Sequence, residues 1–408
     1  MRKILIMSWR NIWRNKLRSS VIIIAVAIGL FAGVFTTAFM KGMMDQRLKN
    51  AIKTEISHIQ VHHQDFLETS DFNDDIDSSS LLVKEFEKID GVKAASGRII
   101  VQGMAAIGGA NAGVKLVGIN PGNEKMVTNI HDNIVEGHYF KNYKKKDPIV
   151  IGKQLAEELD IGVGSKVILT FQDSSGNITR NVFKVNGIFK TVNDMFERTN
   201  AFVKMDDLAK LTGINPNASH EIAIYLEEDQ YAGMIKDKII SKVPSLDVKT
   251  WKEISPELAM IDQSMGVTMY IVIIIILIAL GFGIVNTMLM VVLERIKEFG
   301  MLMAIGMNGN KIFIMILVET VLLVLTGGIV GILMGTGVSK IFEYQGIDLS
   351  LWAKGLTAYG YDPIVYTQLD MEMVGVITLL VIITGILASL YPAIKAVKLK
   401  PVEALRTE

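Results

Sequence analysis

Cysteine is absent from all 408 residues. That excludes a disulfide framework, a thiolate metal site and a cysteine nucleophile, so any domain outside the cytosol must hold together by its core alone. A phosphate-wrapping loop is also missing: residues 91–98 and Gly162-Val163-Gly164-Ser165-Lys166 are the nearest glycine stretches, and neither has the required spacing. There is no Ser/His/acid pattern and no HExxH, and no repeat or low-complexity tract stands out in the segment between the first two apolar runs. Net charge is zero, which averages over unlike segments and identifies none of them. No catalytic or phosphate-binding pattern is thus in view, and no enzyme activity, bound cofactor or nucleic-acid partner is expected of this chain. Any transport work it takes part in draws its energy from another chain.

What the sequence does have is apolar length. Half of its residues are hydrophobic and the mean hydropathy is +0.37. Runs of about 18 or more apolar residues signal membrane spans, and they occur at 21–39, 267–293, 312–338 and 373–391. At about 1.5 Å per residue the second run covers about 40 Å, more than the roughly 30 Å hydrocarbon layer. Met40, Met44, Leu48 and Ile52 continue the first run as one apolar helical stripe, and Leu258, Ile261 and Met265 lead into the second. Residues 19–54 and 255–293 are thus expected to be spans with stalks beneath an outside domain, although tilt would absorb part of the excess length. The basic start and the long first run, with no small-x-small site after it, predict an uncleaved signal anchor.

Lysine and arginine in the short flanks set the orientation. Arg2, Lys3, Arg10, Arg14, Lys16 and Arg18 precede the first span with no acidic residue among them. Arg295, Lys297 and Lys311 lie in the segment 294–311, and Lys395, Lys398, Lys400 and Arg406 in the tail 395–408. The loop 339–371 offers only Lys340 and Lys354 against Glu343, Asp348, Asp362 and Asp370. Both termini are expected in the cytosol, with residues 55–254 outside and 312–338 and 372–394 as the third and fourth spans. In residues 1–18, Trp9-Arg10-Asn11 recurs as Trp13-Arg14-Asn15, placing two tryptophans on one helical face. Such a basic helix reads as interfacial, lying on membrane lipid; an ordinary charged flank with aromatic anchors is the alternative.

The outside segment alternates strand and helix signals. Strands are expected at 56–62, 98–107, 113–119, 149–151, 167–171, 182–189, 201–203 and 221–226, and helices at 81–89, 154–159, 206–211 and 231–243. Asp173-Ser174-Ser175-Gly176-Asn177 marks a hairpin. The prediction is a membrane protein of four transmembrane helices with a large α+β extracytoplasmic domain between helices one and two. Its length suits two subdomains, the second inserted over roughly 140–218.

Several residues invite a functional reading. His58, His62 and His63 could suggest a metal, but His58, Gln60 and His62 share one strand face and Ile59 and Val61 the other, as in a half-exposed strand. The lysines at 144–146 fit a solvated loop. Glu319 lies inside the third span, where a carboxylate costs of order 2.5–3.5 kcal/mol and must face protein or water. It reads either as a polar joint with Asn286 or Thr287, or as a snorkelling interfacial glutamate. Gly327, Gly331 and Gly335 form a small-residue stripe for close helix packing, within the subunit or across a dimer. Ile24, Ile28, Phe31 and Phe35 give the first span a wide apolar face.

The layout of one span, a large outside domain and three further spans resembles the MacB-like (type VII) ABC permeases, which carry an FtsX-like permease domain. The motifs are Trp9-Arg10-Asn11-Ile12-Trp13-Arg14-Asn15-Lys16-Leu17-Arg18, residues 286–306 and residues 391–406; residues 151–156 and 185–190 look like the family's outside domain. Ser57-His58-Ile59-Gln60-Val61-His62 leans toward the lipoprotein-releasing, LolC/LolE-type branch. The resemblance implies a bacterial inner-membrane, multi-pass subunit. Its implied partners are a second permease, same or homologous, two copies of a cytosolic ABC ATPase holding ATP and Mg, and a periplasmic lipoprotein carrier. It implies that Glu294, Arg295, Lys297, Glu298, Gly300, Leu302 and Gly306 couple to the ATPase, and that Ile24, Ile28, Phe31 and Phe35 face an acylated cargo. Met303 departs from the pattern, because arginine is common there and one ionic contact is in doubt. A MacB-like efflux permease for drugs or peptides and an FtsX-like transenvelope regulator remain alternatives.

Overall fold

A computed structural model describes residues 2–14, 16–140 and 147–398. The lysines at 144–146 and half of the tail motif, including Lys400 and Arg406, lie outside them. The described chain divides into two compact units: Met1–Met44, Gln263–Asp348 and Ile364–Glu408; and Asp45–Asp262 with Leu349–Pro363.

Six helices organise the first unit: α1 (Arg2–Arg14), α2 (Lys16–Ala51), α3 (Pro256–Glu294), α4 (Ile296–Ala304), α5 (Gly309–Gln345) and α6 (Met371–Val397). Among the described residues, four stretches are long and apolar enough to cross a membrane: Ser19–Ile56, Pro256–Glu294, Gly309–Gln345 and Met371–Val397. Asn308 caps α5 by accepting from the Asn310 N–H, and Asp370 caps α6 by accepting from Glu372 and Met373. Asp370 also pairs with Lys41 at 2.8 Å, and that bond comes first among the interactions holding its carboxyl below the usual range.

The glycine stripe packs inside the chain. A Cβ on Gly327 would meet the Ile23 carbonyl oxygen at 2.7 Å, one on Gly331 the Ala27 carbonyl oxygen at 2.7 Å, and one on Gly335 the Val34 Cβ at 3.0 Å. α5 therefore lies directly on the backbone of α2, with Val26, Leu30 and Val34 filling the seam. Gly385 of α6 approaches Val324 of α5 in the same way, at 2.6 Å from the position of an added Cβ. On α1, Ile12 is buried and the buried Ser8 hydroxyl donates to the Met315 carbonyl of α5. Trp9 and Trp13 are exposed and meet edge to face at 5.9 Å. One face of α1 thus packs on α5 while the tryptophan face is open.

Ten strands build the second unit: β1 (Ile59–His63), β2 (Val92–Ile107), β3 (Ala110–Ile119), β4 (Ile134–Gly137), β5 (Pro148–Gly152), β6 (Lys166–Gln172), β7 (Ile178–Phe189), β8 (Asn200–Lys204), β9 (Glu221–Leu226) and β10 (Leu246–Thr250). Their order is β10-β1-β9-β2-β3-β8-β5-β7-β4, and β6 bonds both β2 and β7. Those last pairings close β2-β3-β8-β5-β7-β6 into a ring of strands. Its interior is filled by Val101, Val114, Leu116, Leu169, Phe183, Val185 and Val203, all buried. Strands β10-β1-β9 and the first half of β2 form an antiparallel sheet, and β4 pairs with β7 alone. The helices Ser79–Phe86 and Ala232–Lys242 supply Val83, Phe86, Ile235 and Ile239 to its core. In chain order that sheet is a βαββαβ unit with the barrel built into its middle connection.

The barrel corrects the expected subdomain cut. Strands from before Phe140 (β2, β3) and after it (β5 to β8) share one closed ring, so the inserted part begins inside β2. A strand that serves two sheets carries no turn signal where it passes between them. The expected strands and helices are present, and β4, β10 and the helices Pro121–Val127 and Asp194–Thr199 add to them. Pro121 follows β3 as the first residue of a helix capped by Asn120.

Candidate functional site

The charged turn after α3 is the most constructed polar site of the membrane-spanning unit. Arg295 leaves helical geometry, with φ −100° and ψ 16°, and separates α3 from α4. Its guanidinium lies 3.0 Å from a Glu319 carboxylate oxygen through Nη1, and its Nε donates to Glu298 at 2.9 Å. The same group lies 5.1 Å from the centre of the Phe299 ring. Glu298 also accepts from Arg14 of α1 at 2.5 Å. Burial would raise the Glu298 carboxyl, but its bonds to Arg14 and Arg295 hold it below the ordinary carboxylate range. Two arginines and two glutamates thus form one neutral chain, Arg14–Glu298–Arg295–Glu319, linking α1, the α3–α4 turn and α5. It lines a polar cavity of about 280 Å³ that Asn11, Ser19 and Glu294 also border.

Glu319 is 6% exposed, so it is not a snorkelling side chain. It does form a polar joint, but with Arg295 rather than the expected Asn286 or Thr287. Asn286 is exposed, and the Thr287 hydroxyl donates to the Gly283 carbonyl of its own helix. A buried carboxylate demands a full opposite charge, which an amide or hydroxyl cannot supply and an arginine two turns further along can. The charge of Arg295 was visible in the sequence; its distance from Glu319 was not.

The other turn residues divide by face. Gly300 is buried, and Leu302 and Met303 pack, partly buried, against the core formed by the spans. Met303 therefore stands on an apolar contact, where an ionic one was expected to be missing. Gly306 has φ +96°; it donates to Met303 and its successor Met307 donates to Leu302, a left-handed stop that ends α4 and favours glycine. Glu294 and Lys297 are exposed. So are Met301 at 54% and Ile305 at 79%, four residues apart on the open face of α4 with Lys297. These two were not singled out from sequence, where they are indistinguishable from the apolar residues packed inward.

On α2, Ile24 and Ile28 are exposed. Phe31 and Phe35 are half-buried, stacked at 5.8 Å, with Phe35 edge-on to Phe342 of α5 at 6.0 Å. The apolar face is therefore open at its first half and partly covered at its second.

The histidine strand departs from expectation. His58, Gln60 and His62 are as buried as Ile59 and Val61, because β1 lies between β9 and β10 and its second face is also covered. His58 Nδ1 accepts from the Leu226 amide. His62 contacts the His220 carbonyl oxygen and Gln60, and stacks on Phe66. Nearby, Arg98 of β2 donates to Glu221 at 2.6 Å and to Glu124 at 2.7 Å, all three buried. Burial pushes His58 down to about 4, with Asp229 pulling weakly the other way, and burial lowers His62 and His220 also. A folded pKa below the unfolded value of about 6.5 means that stability is complete above that value and is lost as pH falls. His58 alone should remove about 3 kcal/mol between pH 6.5 and 4. Thermal melts of the purified chain should show this acid loss, and His58→Gln should flatten it. An unchanged pH slope in that variant would remove His58 from the account.

Comparison with known proteins bears on the whole chain. A family model described as the MacB-like periplasmic core domain matches residues 19–242, more than half of the chain, and one described as FtsX-like permease C-terminal matches residues 270–401. The lipoprotein-releasing system transmembrane protein LolC of Neisseria meningitidis serogroup B is 25% identical over 354 residues, 82% of this chain and 83% of that protein. The macrolide export ATP-binding/permease protein MacB of Chlorobium luteolum is 38% identical over 126 residues, 31% of this chain but only 16% of that protein. Among solved structures, the periplasmic region of MacB from Actinobacillus actinomycetemcomitans aligns over 52% of this chain and 98% of its own, with 10% identity and a TM-score of 0.37.

Proposed function

We propose that this chain, which belongs to the MacB-like family of ABC transporter permeases and carries an FtsX-like permease region, releases lipoproteins from the outer leaflet of a bacterial inner membrane to a periplasmic carrier. It does so as a non-enzymatic subunit driven by a separate ABC ATPase. Both termini and the turn 294–311 face the cytosol in this reading, on the lysine and arginine asymmetry, and the α+β unit faces the periplasm. The assembly holds two permeases, same or homologous, and two ATPase subunits with their ATP and Mg.

The observation that carries the reading is the charge chain around Arg295. A partner that pushes α4 acts on a helix salt-bridged to α1 and, through Arg295, to the middle of the unit. α3 begins at Pro256 and runs unbroken to this turn over 39 residues, about 58 Å at 1.5 Å per residue. A long helix ending in an ion-paired turn is suited to transmitting displacement without chemistry of its own. The open face of α4, with Lys297, Met301 and Ile305, is the docking surface.

Lipoprotein cargo is favoured over drug or peptide efflux by the length over which the LolC relative aligns, against the short MacB matches. The exposed Ile24 and Ile28 offer a lateral entry for acyl chains. Transfer of a methylene from water is worth about 0.8 kcal/mol, a gain that nearly vanishes from lipid, so extraction depends on ATP while the protein face need only match the bilayer. Photocrosslinkers at Ile28 and Phe31, with ATP hydrolysis blocked, should capture an acylated protein, more strongly at the open Ile28. Capture of neighbouring spans alone would transfer the reading to efflux, and capture of a cell-wall hydrolase or its activator to a transenvelope regulator.

A further inference from the structure

We propose that His63, Asp65 and Asp74 form a binding site for a divalent transition-metal ion, Zn²⁺ first among them. Their ligand atoms lie within 4.8 Å of one another. His63 Nδ1 stands 3.5 Å from Asp74 Oδ1 and 3.9 Å from Asp65 Oδ2. Nitrogen and oxygen ligands at about 2.0–2.2 Å from a tetrahedral metal are about 3.3–3.6 Å apart, so the His63–Asp74 pair already has that spacing and the His63–Asp65 pair lies within a few tenths of an ångström of it. The three donors come from different places: the end of β1, the residue before the short helix Phe66–Thr69, and the loop after it.

A further observation bears on a cation. The Asp65 amide donates to His63 Nδ1 at 3.5 Å, a long contact that a bound ion would replace, and the same nitrogen stands beside two carboxylates. Asp71, Asp75 and Asp77 crowd the same loop, and among the described residues none of these five aspartates pairs with a lysine or arginine. Asp74 is already aimed, because its other oxygen accepts from the Thr69 hydroxyl at 2.5 Å. An imidazole nitrogen beside two carboxylates suits zinc or manganese better than calcium or magnesium, which take oxygen ligands. Three protein ligands leave a position for water. A bound ion would tie the loop to β1. That loop carries Phe66 and Phe72 against His220, at 5.0 and 5.7 Å, and walls one side of a polar cleft of about 730 Å³. Metal occupancy would thus set the order of one wall of that cleft.

The test uses the full chain purified in detergent, with any affinity tag removed and bound metal stripped by chelator. The absence of cysteine and the presence of only six histidines keep competing sites few. Calorimetric titration with ZnCl₂ should give one site per chain and no comparable heat with MgCl₂ or CaCl₂. His63→Ala and Asp74→Asn should each weaken it about tenfold or more, with unchanged melting temperature in the absence of metal, since His63 is half-exposed. Hydrogen exchange across residues 64–76 should slow on adding Zn²⁺ to the wild type only. Zn²⁺ binding of equal strength in both variants, or none in the wild type, would overturn the proposal.

Discussion

Arg295→Met should cost the chain about 3–5 kcal/mol of stability and abolish coupling to ATP hydrolysis, the largest effect expected of any single change in the membrane-spanning unit. The variant leaves the Glu319 carboxylate 6% exposed with its arginine gone, and a buried charge stripped of its partner carries a penalty of that size. It also takes one of two arginines from Glu298, cutting the link between α1 and α5. The double variant Arg295→Met with Glu319→Met separates structure from transmission. Replacing both members of a buried pair by apolar groups is often neutral, so melting should return close to wild type. Coupling should not return, because the ionic connection from α4 into α5 is still missing. ATPase stimulation measured in proteoliposomes would decide. Full stimulation in the stable double variant would mean that the ion pair only satisfies its own charges.

Gly331→Val should be the second most damaging change. Even a Cβ at this position would stand 2.7 Å from the Ala27 carbonyl oxygen and 2.9 Å from Leu30 Cβ, so α2 and α5 would have to separate. Overpacking costs about 1–3 kcal/mol, and in lipid close backbone approach is itself a main source of helix association. The neighbouring Gly328 is also buried, yet nothing lies within 4 Å of an added Cβ there. Gly328→Ala should therefore be tolerated, which makes it an internal control. Detergent melting should fall several degrees for Gly331→Val and hardly move for Gly328→Ala. Equal tolerance of both would place the α2–α5 contact elsewhere.

How far the fold was legible in the sequence follows from the range of the interactions that make it. The four spans and the alternation of strands such as 221–226 are local patterns of period 3.6 or 2, and they read directly. The glycine stripe predicted a close helix contact, but its partner, α2, is just over 300 residues away and unmarked in sequence. The closure of the barrel through β6 depends on pairings with β2 and β7 that hydropathy does not encode. β1 was misjudged for the same reason: alternating polar and apolar residues predict one wet face, whereas His58, Gln60 and His62 are enclosed by their neighbours and satisfied by hydrogen bonds. In the turn 294–306, the residue types announced a charged junction. Only the geometry separated Arg295 and Glu298, which hold the turn in place, from Met301 and Ile305, which are open to a partner.

The central claim is that the open face of α4 receives the ATPase while its other face is locked into the membrane-spanning unit. The most direct measurement places a photoreactive amino acid at Met301, Ile305 or Phe299 in a chain co-purified with its ABC ATPase subunit. Irradiation should join Met301 and Ile305 to the ATPase, while the buried Phe299 should react only within the chain. If the ATPase co-purifies but neither exposed position captures it, or Phe299 captures it instead, α4 does not dock in the manner described.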